Sequence, residues 1–193
     1  MYVEVGAKKV FACAVDWPGW ERSGRTEEAA LEALAAHAGR YAPLAGRKRL
    51  DTSFEVVERL PGTATTDFGA PDAVCEADRG PLPAAWPAIL ERAWAAFDEV
   101  VARSSPVLTK GPRGGGRDRD QIAEHVAEAE RSYARQIGVR VPPRTPWPEQ
   151  REAIIDALRI RPPEHRWPVR YFLRRTTWHV VDHLWEIEDK QPG

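Results

Sequence analysis

The stretch Trp86–Arg103, WPAILERAWAAFDEVVAR, decides the fold. Trp86, Ile89, Leu90, Ala93, Trp94, Phe97, Val100 and Val101 recur every three or four residues, which places them in one wide apolar stripe of a helix ending near Arg103. Upstream the repeat is different. In Lys9–Val15, KVFACAV, the residues Val10, Ala12 and Ala14 alternate with Phe11, Cys13 and Val15. Both sets are apolar, as in a strand covered on both sides or by a helix. The chain therefore changes from a two-residue to a 3.6-residue period, and the change falls across a segment rich in Gly, Pro, Asp and Ala.

Working toward the N-terminus, a strand at Tyr2–Val5 and a turn at Gly6–Lys8 complete a hairpin with KVFACAV. Asp16–Trp20, DWPGW, is a turn by composition. Thr26 then caps a helix whose first turn holds Glu27 and Glu28, where the helix dipole favours acids. Leu31, Leu34, Ala38 and Tyr41 share its inner face, and a strand over Ser53–Arg59 follows. The expected unit is a small β-β-α-β domain over residues 1–60. Residues 61–81 read as an irregular linker, or a linker with one short strand near Ala73–Glu76.

Working toward the C-terminus, a long loop leads to Asp118, which with Gln121 forms a capping box for a helix ending at Gly138. A proline-rich connection precedes a short helix over Glu149–Ile160, with Ile154, Ile155 and Leu158 inward. A second connection, RPPEHRWP, precedes a last helix from about Val169 to Asp189. Four helices, each with an apolar stripe, predict an all-α four-helix bundle over residues 82–193 and an α+β fold class for the whole. Six of the eight tryptophans lie from Trp86 onward, so the aromatic core is expected there.

Composition narrows the function. The chain is 42% hydrophobic and 30% charged with net charge -1, a globular composition without the basic excess of a nucleic-acid binder. No apolar run is long enough to span a bilayer, and the start of the chain lacks the apolar core of a signal peptide, so the expectation is a cytoplasmic protein with neither nucleic acid nor membrane as partner. Cys13 and Cys75 belong to no CxxC motif, and a disulfide is not expected.

The chemistry-bearing residues are histidines. His179 and His183, in TTWHVVDHLWEIED (Thr176–Asp189), are four residues apart and stack on one helical face, where two imidazoles can share one ion. His125, in QIAEHVAEAERSY, shares its face with Ile122 and Ala129 and so points inward. Three imidazoles from two helices predict a divalent-metal site (zinc, nickel or a similar ion) with coordination positions left open. Glu128 and Glu186 are the carboxylates placed to orient a ligand or shuttle a proton; Glu124 and Asp182 fit less well by phase. His37 reads as solvated, His165 as packed in a loop, and Arg174 and Arg175 as surface or ion-paired residues. Trp86, Trp94, Trp178 and Trp185 read as core by default, and Trp178 and Trp185, beside the histidines, can also wall the pocket. The loop Lys110–Asp120, KGPRGGGRDRD, sets glycines and arginines before a helix N-terminus, where an anion can be held, although a solvated connector explains it more simply.

One inward histidine followed by HxxxH on the last helix resembles the DinB/YfiT-like metalloprotein superfamily over about Leu82–Gln191, carried by His125, His179 and His183. The short third helix flanked by prolines departs from its usual form. The resemblance implies a divalent cation at the triad and a metal-dependent transferase or isomerase acting with a thiol of the mycothiol, bacillithiol or glutathione type, and it allows a homodimer. A second stretch, FACAVDWPGWERSGRTEEAALEAL, is similar to the HicB-like antitoxin fold, with its D-x-P-G turn leading to a helix opening at Thr26-Glu27-Glu28-Ala29. That likeness implies the fold of residues 1–58, and it favours a rival reading of the chain as a non-catalytic, partner-binding or stress-associated protein with a structural metal or none.

Overall fold

The computed structural model describes residues 1–111, 115–160 and 166–192. Its N-terminal part is a four-stranded sheet of β1 (Tyr2–Val5), β2 (Val10–Cys13), β3 (Glu21–Gly24) and β4 (Glu58–Pro61), in the order β3-β2-β1-β4. β1 and β2 pair antiparallel, with Tyr2 opposite Cys13; β2 and β3 pair antiparallel; β4 runs parallel to β1. The expected β-β-α-β order gains a strand, because Glu21–Gly24 continues from the DWPGW turn as a partner of β2. The last strand lies later than expected, at Glu58–Pro61 rather than Ser53–Arg59. Proline is tolerated at its end because β4 is an edge strand.

Helix α1 (Glu27–Ala36) starts as expected: the Thr26 hydroxyl accepts a hydrogen bond from the Ala29 amide at 3.2 Å. It breaks at His37 and resumes as the single turn α2 (Ala38–Tyr41). Residues 62–81 contain no strand, so the short strand that one reading put near Ala73–Glu76 is absent; they hold a short helix α3 (Ala64–Phe68) and a 3-10 turn at Glu76–Arg79. Four long helices follow: α4 (Trp86–Arg103), α5 (Arg119–Ala134), α6 (Trp147–Ile160) and α7 (Val169–Asp189). The fold is thus mixed, a sheet followed by helices. No helix among the described residues is long and apolar enough to cross a membrane.

Helix α7 is the hub. Fifteen of its residues are buried, so it is enclosed on nearly all sides rather than amphipathic. It packs against α4 and α5, and Trp178 and Arg174 join it to Tyr2, Phe11 and Glu21 of the sheet. β2 is buried on both faces: Val10 and Ala12 join Ala30, Leu34 and the helical core in one large cluster, while Phe11 and Cys13 join Tyr2, Cys75 and Trp178 in a second. The change of period near residues 61–81 is therefore no gap in packing.

Polar anchors fix α5 and α7. On α7, Arg174 is buried and donates to both Asp78 carboxylate oxygens at 2.8 and 2.7 Å, to Glu21 at 2.8 Å and to the Tyr2 hydroxyl at 2.9 Å. A buried charge of this kind holds only because its partners neutralise it. On α5, buried Glu130 accepts from the Trp94 indole at 2.5 Å and the Trp147 indole at 2.6 Å, tying α4, α5 and α6 together. The DWPGW turn sits directly on α7. Gly19 has a φ of +91°, and a Cβ there would lie 2.7 Å from the Thr177 Cγ2, so only glycine fits.

Candidate metal centre

His125 on α5 and His179 and His183 on α7 converge. One ligand atom from each lies within 4.8 Å of the other two; His179 and His183 are buried and His125 is half-buried. The His179 and His125 Nε2 atoms are 3.2 Å apart, and the ring centroids are 5.0 Å (His125–His179), 5.0 Å (His125–His183) and 4.6 Å (His179–His183) apart. Two nitrogens at that separation, each at the ~2.0–2.1 Å of a zinc–imidazole bond, subtend about 100° at a shared ion, close to tetrahedral. Helix geometry explains the convergence: four residues advance α7 by about one turn, and His125 is turned inward by the buried neighbours Ile122 and Val126.

Burial and neighbouring positive charge hold the imidazoles in their neutral form. Burial pushes the His179 imidazole well below its ordinary pKa, and the neighbouring His183, His125 and Arg175 push it further. Burial likewise lowers His125, helped by His183 and Arg117. Both rings are therefore neutral at pH 7, the state that offers lone pairs to a metal. The His179 Nδ1 is buried without a hydrogen-bond partner among the described residues, while its Nε2 is pressed toward a second imidazole. A cation between the rings would take up the facing Nε2 lone pairs, and the all-imidazole donor set fits a divalent ion.

Of the two carboxylates expected to act, Glu186 is at the centre. It accepts from the His183 Nδ1 at 2.6 Å and from the Lys190 ammonium at 2.5 Å. The His183 hydrogen bond, with help from Lys190, holds its carboxyl down at about 2. With Nδ1 engaged, the His183 Nε2 is the nitrogen left for an ion. Glu128 is exposed and makes no hydrogen bond to the triad among the described residues; it acts on His125 only through its charge. Asp182 pairs with Arg22 of β3 at 3.0 Å, and Glu124 is exposed.

Several neighbours differ from expectation. His37 is not solvated: it is half-buried, with Nδ1 2.7 Å from the Ala33 carbonyl and its ring 5.1 Å from Trp185. Trp185 faces His37, Arg22 and Arg40 rather than the triad, whereas Trp178 does adjoin His179 at 6.1 Å. Tyr133, which the sequence reading passed over, has its ring 5.8 Å from His179. It follows His125 by two turns, so same-face spacing was the signal that identifies it. Arg174 is ion-paired, but Arg175 is buried and pairs with no carboxylate among the described residues. In the Lys110–Asp120 loop, Lys110 and Asp118 pair at 2.5 Å and the Gln121 side chain accepts from the Asp118 amide, so a carboxylate already occupies that helix start. Residues 112–114 of that loop, and His165, lie outside the described residues. Cys13 and Cys75 are buried free thiols; burial raises Cys13 and pushes Cys75 up to about 11.

Comparison with protein-family models, with curated proteins and with solved structures gave no match.

Proposed function

We propose that this chain is a metal-dependent enzyme of the DinB-like kind, in which α4, α5, α6 and α7 form the four-helix bundle and His125, His179 and His183 hold one divalent ion such as zinc or nickel. The reaction proposed is a transfer or isomerisation that uses a small thiol of the mycothiol, bacillithiol or glutathione type. The observation that carries the reading is the convergence of three imidazoles, mostly buried, in a group to which no carboxylate or cysteine among the described residues adds a fourth ligand atom. Such a set leaves positions for solvent or substrate, as catalytic sites do and structural sites do not.

When bound, a divalent cation supplies stabilisation of a thiolate, and so acidifies a thiol whose free pKa is about 8.5. The chain's own residues do the rest. Glu186 fixes the ring orientation and tautomer of His183. Burial keeps His125 and His179 neutral, so that they meet an ion as donors rather than as competing cations. The reacting thiol has to come from the substrate, because burial keeps both Cys13 and Cys75 protonated at neutral pH. Arg174 and the DWPGW turn, through Gly19, clamp α7 against the sheet side and so hold the two α7 histidines in register.

Cobalt substitution tests the reading. Addition of mycothiol, bacillithiol or glutathione to the cobalt-loaded protein should produce a sulfur-to-cobalt charge-transfer band, and His183→Ala should abolish it. If none of the three thiols changes the cobalt spectrum, the thiol chemistry is wrong and a metal-binding protein of other chemistry remains.

A further inference from the structure

Arg175 stands one helical turn before His179 on α7, and its side chain is buried, 8% exposed. Its single hydrogen bond among the described residues goes to the Pro71 carbonyl. Unlike Arg174 beside it, it meets no carboxylate among those residues. The guanidinium lies 5.0 Å from the Trp178 ring centroid and 5.6 Å from that of Tyr133. Tyr133 in turn lies against His179, and its hydroxyl makes no hydrogen bond among the described residues. On α5, His125, Ala129 and Tyr133 follow at intervals of four, so the helix presents imidazole, methyl group and phenol in a row. On α7, His183, His179 and Arg175 form the matching row. The two rows bring the arginine and the phenol to one end of the histidine cluster.

A buried guanidinium is costly unless an anion neutralises it, and one backbone carbonyl does not. The aromatic rings around it offer cation–π attraction but no counter-charge. We propose that Arg175 is the anion-binding residue of the site and that the substrate carries a carboxylate, received by the guanidinium with the Tyr133 hydroxyl as a second donor. A carboxylate matches the planar two-toothed face of a guanidinium, and its single charge balances the single cation. The inference rests on the reading of the histidine cluster as a substrate site. It assigns Arg175 a role beyond that of a strap holding Pro71.

The test uses the full chain, with 3-mercaptopropionate and 3-mercapto-1-propanol as probes titrated into cobalt-loaded protein and followed by the charge-transfer band. The carboxylate thiol should bind about tenfold tighter or more than the alcohol, the range expected for a hydrogen bond to a charged group. Arg175→Gln, which keeps an amide donor for the Pro71 carbonyl, should erase that preference at unchanged cobalt content and unchanged circular dichroism; Arg175→Lys should restore part of it. Equal affinities of the two thiols for the wild type, or a preference that survives in Arg175→Gln, overturns the proposal. A second arm needs no metal. Succinate titrated into metal-free protein should change tryptophan emission in the wild type, through Trp178 beside the guanidinium, and not in Arg175→Gln. If the protein takes up no cobalt, the metal reading falls and this arm alone decides: an Arg175-dependent succinate response upholds the anion site, and its absence overturns it. Tighter binding of inorganic phosphate than of succinate overturns the assigned class.

Discussion

Replacing Glu186 separates a residue that orients a metal ligand from one that is a ligand. The carboxylate sits 2.6 Å from the His183 Nδ1 and 2.5 Å from the Lys190 ammonium. Because these contacts hold it at about 2, it stays ionised across the whole range in which imidazoles titrate. Removal of an acceptor behind a metal-bound histidine typically costs ~10- to 100-fold in metal affinity, about 1.4–2.7 kcal/mol. Glu186→Ala should fall in that range. Glu186→Gln keeps an oxygen that can accept from Nδ1 but loses the charge, and charge-assisted hydrogen bonds are about twice as strong as neutral ones. Its loss should therefore be about half as large in free energy, roughly 3- to 10-fold in affinity. His183→Ala removes a ligand outright and should cost far more than either. The assay is competition with a chromophoric zinc chelator at pH 7.5, with stoichiometry read in the same titration. Wild-type affinity in Glu186→Ala would refute the orienting role. A loss in Glu186→Ala equal to that in His183→Ala would make the carboxylate a ligand instead.

Three further outcomes follow from the geometry. Arg174→Met strands the buried carboxylates of Glu21 and Asp78 and should cost about 3–5 kcal/mol in urea unfolding; neutralising both in the same chain, with Glu21→Gln and Asp78→Asn, should recover part of that loss. Gly19→Ala combines a left-handed backbone with a 2.7 Å clash on Thr177, so Tm should fall by roughly 5–15 °C, whereas the same change at exposed Gly115, where a Cβ meets nothing within 4 Å, should leave it nearly unchanged. For pH, the folded-state values of His179 and His125 lie below their unfolded value near 6.5, so the unfolded chain binds more protons in that window. Stability of the metal-free protein should therefore fall as pH drops below about 6.5, and bound zinc should oppose that loss until the imidazoles themselves protonate; a flat melting profile from pH 7.5 to 5 would contradict it.

What the sequence disclosed follows the strength of its periodic signals. Helix α7 begins and ends where its pattern and proline boundary put it, and the pair His179–His183 is legible from spacing alone. His125 required a judgement of which face of α5 turns inward, and the apolar neighbours Ile122 and Ala129 supplied it. Strand β3 was not legible: Glu21–Gly24 is four residues without an apolar or β-branched run, and it is a strand because β2 pairs with it and α1 packs on it. The misplaced last strand has a similar cause. Phe54 and Val56 alternate as strand residues do, yet they pack on the core ahead of the ladder, which starts at Glu58. The short helix α3 sits in a segment whose composition reads as linker; Thr63 starts it, its amide donating to the Thr66 hydroxyl and its own hydroxyl accepting from the Thr65 amide. Arg174 and Arg175 are adjacent in sequence and share a composition, so nothing local tells one from the other. Only the tertiary fold shows that one reaches Glu21 and Asp78 while the other turns to Tyr133 and Trp178.

The central claim is that His125, His179 and His183 form one metal site. Its most direct measurement is the metal content of protein purified without a histidine tag, by elemental analysis of the wild type beside His125→Ala and His179→Ala. About one divalent ion per chain in the wild type and loss of most of it in each variant is the predicted result. No divalent ion in the wild type after loading and desalting, or equal occupancy in all three proteins, would contradict it.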